Sequence, residues 1–116
     1  MKQIKILIFI LFINQVSSAA PLTEQKRIEY LFTQIQISGL KFVRNGVEYS
    51  PSKAVMHLKY KLSRSGGMIK TAEDFIRRIA SKSSFSGKLY YIKMPDGKQV
   101  PSGDWLFRKL RKFTDR

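Results

Sequence analysis

Apolar residues recur at helical spacing in four stretches of the chain, and each stretch begins near a residue that can cap a helix. The first runs from Thr23, a candidate N-cap, to Ser38 and stops before Gly39. Ser50-Pro51, Thr71 and Ser102 supply the N-terminal signals of the other three. The predicted buried stripes are Ile28, Leu31, Phe32 and Ile35; Ala54, Val55, Leu58 and Leu62; Ala72, Phe75, Ile76 and Ile79; and Trp105, Leu106, Leu110 and Phe113.

Short runs rich in aromatic and β-branched residues lie between these stretches and predict strands. Two of them flank Asn45-Gly46, the pair that a two-residue type I′ hairpin turn favours. Residues 89–94 predict a third strand, and Gln99-Val100 a fourth after a Pro-Asp-Gly-Lys turn. Four helices with about four short antiparallel strands indicate a small α+β domain, because the strands are too short to stand without helices.

The first nineteen residues have the three-part pattern of a secretory signal peptide. Lys2 and Lys5 open it, an unbroken apolar run extends from residue 6 to 13, and small residues precede Ala20. A membrane span needs about 20 apolar residues, and this run is much shorter. We therefore expect cleavage before Ala20, a single domain over residues 20–116, and export to the periplasm or beyond the cell.

Export changes what the charge of the chain implies. The sequence has 22 Lys and Arg against 8 Asp and Glu. Loss of the two leader lysines leaves 20 basic residues and a formal charge of +12 on the predicted mature chain. Such a surplus favours anionic partners, and outside the cytoplasm an anionic envelope component or an acidic protein is expected before nucleic acid.

The absence of cysteine removes several classes of chemistry. With no cysteine in the sequence, the chain has no disulfide, no thiol nucleophile and no thiolate zinc ligand. One histidine and scattered carboxylates do not form a metal-ligand pattern. We therefore predict neither a cofactor nor a metal.

A hydroxyl-rich segment from Ser81 to Lys88 is the first candidate for chemistry. Its small polar residues, with a glycine and an ammonium at the end, could present amides and hydroxyls to one anion. The alternative is an exposed linker whose serines bond their own backbone.

His57 and Lys61 form the second candidate, because residues one helical turn apart are neighbours on the helix surface. A nearby ammonium disfavours the imidazolium and would leave His57 neutral near pH 7. A packed, hydrogen-bonded histidine is the alternative. A serine hydrolase using Ser83, Ser84 or Ser86 stays open as well, and it requires a hydroxyl within about 3 Å of one of these bases.

The last predicted helix carries a basic face that could lie on an anionic membrane or cell wall, or against an acidic partner. The alternative is a solvated face without a partner. The residues concerned are Arg108, Lys109, Arg111, Lys112 and Arg116.

Several blocks occur in order along the chain: Phe42-Val43-Arg44-Asn45-Gly46, His57-Leu58 with Lys61, Thr71 to Ile76, Ser81 to Ser84 with Ser86-Gly87-Lys88 and Tyr90, and Trp105-Leu106. Together they resemble a bacterial family of small exported proteins, domain-of-unknown-function family 5329. The resemblance implies a periplasmic protein without an established activity, and it carries over no catalytic role. It draws attention to the family-like positions Arg44, Asn45, Gly46, His57, Lys61, Ser83, Ser84, Gly87, Lys88 and Tyr90.

The main hypothesis is a non-enzymatic binding module. In it, the Arg44 hairpin, the edge of the helix at His57 and Lys61, and the hydroxyl-rich loop converge on a site for an anionic group. Arg44 would clamp the anion, two lysines would add charge, and the loop would orient it. The predicted binding residues are Arg44, His57, Lys61, Ser83, Ser84, Ser86, Lys88 and Tyr90.

Overall fold

A computed structural model describes residues 20–114, so the predicted signal peptide and Arg116 lie outside the described residues. Within that range the element order is α1 Leu22–Ser38, β1 Lys41–Arg44, β2 Val47–Tyr49, α2 Pro51–Ser63, α3 Ala72–Arg78, β3 Tyr91–Lys93, β4 Gln99–Pro101 and α4 Ser102–Leu110. Four helices accompany four antiparallel strands in this part of the chain. The predicted α+β class is confirmed.

The sheet has the strand order β2-β1-β3-β4, with every neighbouring pair antiparallel. Phe42 on β1 lies opposite Tyr49 on β2 and Ile92 on β3, so these side chains share one face. Phe42 and Ile92 belong to the hydrophobic core shared with the helices. On the outer face, Lys93 donates to Glu48 at 2.7 Å.

All four helices contribute to one core, and α1 contacts each of the other three. The predicted stripes are buried except for Leu62 and Phe113, which are partly buried and pack against the core edge. An ion pair reinforces the packing of α1 on α3, because Arg27 contacts Glu73 at 2.8 Å and Glu24 at 2.7 Å. The helices thus form a layer that supports the inner face of the sheet.

Local sequence signals set the turns around the hairpin. Asn45 has φ 50° and Gly46 has φ 79°, which are the positive values that a type I′ turn requires. The Ser50 hydroxyl accepts from the Lys53 amide at 3.2 Å and begins α2 as predicted. Thr71 caps α3 in the same way, accepting from the Asp74 amide at 3.0 Å.

Two predicted helix starts are wrong. Helix α1 begins at Leu22, and Pro21 rather than Thr23 is the N-cap, because the Pro21 carbonyl already accepts from the Gln25 amide at 3.0 Å. Ser102 does not cap α4. It is the first residue of that helix, it is fully buried, and its hydroxyl donates to the Ala80 carbonyl at 2.6 Å. A buried carbonyl needs a donor, and Ser102 supplies it.

The third strand is shorter than residues 89–94. The backbone of Tyr90 is bonded outside the sheet, since its amide donates to Ser81 and its carbonyl accepts from Ser102, both at 2.9 Å. Leu89 forms an isolated bridge with Lys82. Tyr90 is therefore held between the segment after α3 and the start of α4.

Candidate functional site

Tyr90 lies at the centre of a polar cluster that includes two of the predicted site residues. Its side chain is 1% exposed. The Tyr90 hydroxyl lies 3.0 Å from Lys61 Nζ and 3.2 Å from His57 Nε2. Helix α2 places His57 and Lys61 one turn apart, and both reach the same phenol.

Lys61 is fully occupied by hydrogen bonds. Its ammonium donates to the Ile79 carbonyl at 2.8 Å, the Lys82 carbonyl at 3.0 Å and the Tyr90 hydroxyl. An ammonium has three N–H donors, so all of them are used. Ile79 is the C-cap of α3, where the helix dipole favours a cation. Lys61 therefore joins three parts of the fold and contributes charge rather than a free donor.

Burial and neighbouring cations shift the pKa values of this cluster. Burial lowers the pKa of Lys61 to about 8, and the Arg44 charge acts in the same direction. The pKa of His57 is lowered by burial first, then by Arg44 and Lys61. Burial raises the pKa of Tyr90. The lowered pKa of His57 favours the neutral imidazole at pH 7, in the direction expected, but the larger cause is burial rather than the neighbouring ammonium.

The hydrogen bonds also assign the proton of the His57 ring. The Tyr90 oxygen accepts from Lys61, and the buried Tyr90 O–H needs an acceptor of its own. His57 Nε2 provides that acceptor, so the ring proton is placed on Nδ1 by inference from the network. In this network His57 is a neutral ring that carries its proton on Nδ1.

A groove of about 380 Å³ lies between the β1–β2 hairpin and α2. It is bounded by three aromatic rings, a methionine, an alanine, a histidine and two cationic side chains. Its lining residues are Phe42, Arg44, Tyr49, Lys53, Ala54, Met56, His57 and Tyr60. The groove therefore combines an apolar wall with positive charge.

Arg44 is held in place at one side of this groove. Its guanidinium lies 4.9 Å from the centre of the Tyr49 ring and donates to the Tyr49 hydroxyl at 3.1 Å. No carboxylate lines the groove among residues 20–114. Glu48 is on the same hairpin, but alternation along β2 directs it to the outer face, where it pairs with Lys93. The Arg44 charge is consequently not neutralised inside the groove.

The hydroxyl-rich loop does not supply its amides to this site, which corrects the predicted convergence. Ser83 is buried, and its hydroxyl accepts from the amides of Phe85 and Ser86 at 3.2 Å each. The Gly87 amide donates to the Ser83 carbonyl, and the Lys88 amide donates to the Ser86 hydroxyl. These groups stabilise the loop, as the alternative interpretation expected, and are unavailable to an added anion.

The remaining loop residues also lie outside the groove. Ser84 is exposed, and the Ser86 hydroxyl donates to Asn45 Oδ1 at 2.7 Å. Lys88 lines a separate depression on the outer side of the hairpin. The structure thus brings together Arg44, His57, Lys61 and Tyr90. Ser84, Ser86 and Lys88 are not among the residues that line the groove, and the Ser83 hydroxyl bonds within the loop although Lys61 binds the adjacent Lys82 carbonyl.

Sequence reasoning missed part of the groove. Lys53, Met56 and Tyr60 were not proposed, although their spacing around His57 places them on one face of α2. Tyr49 belongs to the second predicted strand of the hairpin and is not among the predicted binding residues. The sequence does not show which side of α2 faces the hairpin, and this orientation decides which of its residues line the groove.

The residues of the two alternative functions, a serine hydrolase and a surface-binding last helix, lie in different surroundings. In the described part of the chain, the hydroxyls of Ser83 and Ser86 bond within the loop or to Asn45, and neither makes the hydrogen bond to His57 or Lys61 that a hydrolase requires. On α4, Arg108, Arg111 and Lys112 are exposed, while the Lys109 ammonium lies over the Trp105 ring at 5.1 Å. No helix in residues 20–114 is long and apolar enough to cross a membrane.

Comparison with known proteins places the chain among relatives of unknown activity. Residues 22–114 match the model of a Family of unknown function (DUF5329). The chain belongs to this family. It is 43% identical over 68 residues to the uncharacterized protein YfeK of Salmonella typhimurium, an alignment covering 58% of this chain and 57% of YfeK. No solved structure matches the chain.

Proposed function

We propose that this DUF5329 protein is an exported, non-enzymatic binding module whose groove between the hairpin and α2 takes an anionic ligand with an apolar body. The observation that carries the proposal is the pairing of an apolar wall with uncompensated cations in one groove. The ligand class is an amphiphile with a carboxylate or phosphate head group. Periplasmic location and an envelope source for this ligand are part of the same proposal.

The two cations that line the groove support an anionic head group. Arg44 has a planar guanidinium that can donate two parallel hydrogen bonds to a carboxylate or phosphate. Lys53 adds a second cation from the first turn of α2. Lys61 acts behind them, because its three donors are occupied but its charge remains. An anion would relieve the repulsion among these cations.

The apolar lining of the groove supports an apolar body of the ligand. Tyr60 and Met56 are 61% and 69% exposed, and Phe42 and Ala54 form the buried floor. Large apolar surface exposed beside a concave site is typical of ligand grooves. Methionine also adapts its shape to different apolar partners. The apolar side would therefore favour chains or rings of several shapes.

The proposal is tested by titrating the protein with three probes and following backbone amide resonances by NMR. Octanoate carries both features, inorganic phosphate only the charge, and 1-octanol only the chain. Octanoate is expected to shift the resonances around Arg44, His57 and Tyr60, with much weaker effects from the two partial probes. Octyl phosphate repeats the test with the other head group.

A matched pair of variants separates the groove from general charge. Arg44→Met with Lys53→Met removes two groove cations, whereas Lys98→Met with Arg111→Met removes two exposed cations elsewhere. The groove variant should weaken octanoate binding at least tenfold, and the control should not. Equal binding by both variants, or octanol shifts as large as those of octanoate, would refute the proposed ligand class.

A further inference from the structure

Phe85 is exposed to an unusual degree for a large aromatic residue. It is 98% exposed, whereas Phe42 and Phe75 are almost completely buried. Leaving a phenylalanine in water forgoes the stabilisation that burial of such a ring provides. The exposed ring is therefore available to contact an apolar layer offered by a partner.

The loop that carries Phe85 is well ordered by its own hydrogen bonds. Ser83 binds the Phe85 and Ser86 amides through its hydroxyl, and its amide donates to the Lys88 carbonyl at 2.9 Å. Ser86 then anchors the loop to the hairpin turn through Asn45. The ring is consequently presented on a fixed turn, so little conformational entropy is lost on contact.

Two cations and a leucine lie on the same loop as this ring. Lys82 bridges to Leu89 at the base of the loop, and the Ser83 amide donates to the Lys88 carbonyl. Lys82 and Lys88 are exposed, and Leu89 is 45% exposed. We call Phe85, Lys82, Lys88 and Leu89 the Phe85 tip.

We propose that the Phe85 tip inserts into the interfacial layer of an anionic phospholipid bilayer. The ring would enter the boundary between head groups and acyl chains, while Lys82 and Lys88 contact the head-group phosphates. A membrane suits this pattern because it offers an apolar layer directly beneath an anionic one. The net positive charge of the chain adds long-range attraction to the same surface. This contact is independent of the groove.

The test is sedimentation with vesicles of phosphatidylglycerol and phosphatidylethanolamine, compared with vesicles of phosphatidylcholine. Wild type and Phe85→Ser are compared with Ile37→Ser, which removes a 69% exposed apolar residue from α1. All are expressed from the full chain and processed in the same way, so the N-terminus is the same in every arm. Phe85→Ser should weaken binding to the anionic vesicles about tenfold, and Ile37→Ser should leave it unchanged.

A second measurement reports insertion directly. In Phe85→Trp, the fluorescence should shift to the blue with anionic vesicles, whereas wild type, whose Trp105 is buried, should show little change. Lys82→Gln with Lys88→Gln should weaken the binding and flatten its salt dependence. Equal binding by wild type and Phe85→Ser, or no spectral shift in Phe85→Trp, would overturn the proposal. If wild type does not bind the vesicles but binds a protein that Phe85→Ser does not bind, the tip contacts a protein partner instead.

Discussion

The half-buried ammonium of Lys61 predicts a free energy of unfolding that rises with pH in the alkaline range. Its pKa is lowered from 10.5 to about 8 in the folded protein. Between these two values the unfolded chain binds more protons than the folded one, so the free energy of unfolding increases with pH. Below about pH 8, Lys61 is charged in both the folded and the unfolded chain, so the destabilisation caused by its burial is constant.

The size of the rise follows from the same pKa values. Linkage gives an increase of at most about 2 kcal/mol in the free energy of unfolding between about pH 8 and pH 10. Tyr90 opposes the rise only towards pH 10, because burial raises the pKa of its phenol above 10.0 and the unfolded chain then loses the phenol proton before the folded one does. Partial exposure of Lys61 screens the charge and reduces the value below this ceiling.

Urea unfolding followed by far-UV circular dichroism at several pH values measures this rise. Lys61→Met removes the titrating group and should flatten the curve, even though the Ile79 and Lys82 carbonyls lose a donor. Lys98→Met removes an exposed lysine from the β3–β4 turn and should keep the wild-type rise. If wild type and Lys61→Met have parallel curves, burial of a charged Lys61 is not the source of the pH dependence.

Three further outcomes follow from individual contacts. Ser102→Ala should lower the free energy of unfolding by about 1–2 kcal/mol, because it leaves the buried Ala80 carbonyl without its donor; an unchanged urea midpoint would contradict this. Arg27→Met should lower the free energy of unfolding by about 1 kcal/mol at neutral pH. Because Arg27 lowers the pKa of Glu73, this deficit should shrink as the pH falls below about 4.5. A deficit that persists in acid would refute the ion-pair origin. Imidazole ¹⁵N shifts at pH 7 should report His57 as the Nδ1–H tautomer, and an Nε2–H signature would contradict the assigned network.

The sequence predicted what depends on neighbouring residues. The stripe of α1, the Asn45-Gly46 turn and the Ser50 cap are set within a few positions, and periodicity or turn chemistry specifies them. The edge formed by His57 and Lys61 was predicted for the same reason, since one helical turn brings them together. These features could therefore be derived without knowledge of the tertiary structure.

The features that sequence reasoning missed depend on residues distant in the chain. Ser102 matched an N-cap by type, but packing against Ala80, 22 residues earlier, gave its hydroxyl another acceptor. The pairing of Arg27 with Glu73 spans 46 residues. Long-range packing, which periodicity does not encode, decided each of these outcomes.

The most direct test of the proposed function is to identify what the groove retains from a bacterial envelope extract. Wild type and the Arg44→Met, Lys53→Met variant are incubated with the extract and washed. The small molecules that stay bound are measured by negative-ion mass spectrometry. The charge-matched control is the Lys98→Met, Arg111→Met variant. Wild type and control should retain a carboxylate or phosphate amphiphile that the groove variant loses. Retention of the same compounds by all three proteins, or of none by wild type, would contradict an anion-binding groove.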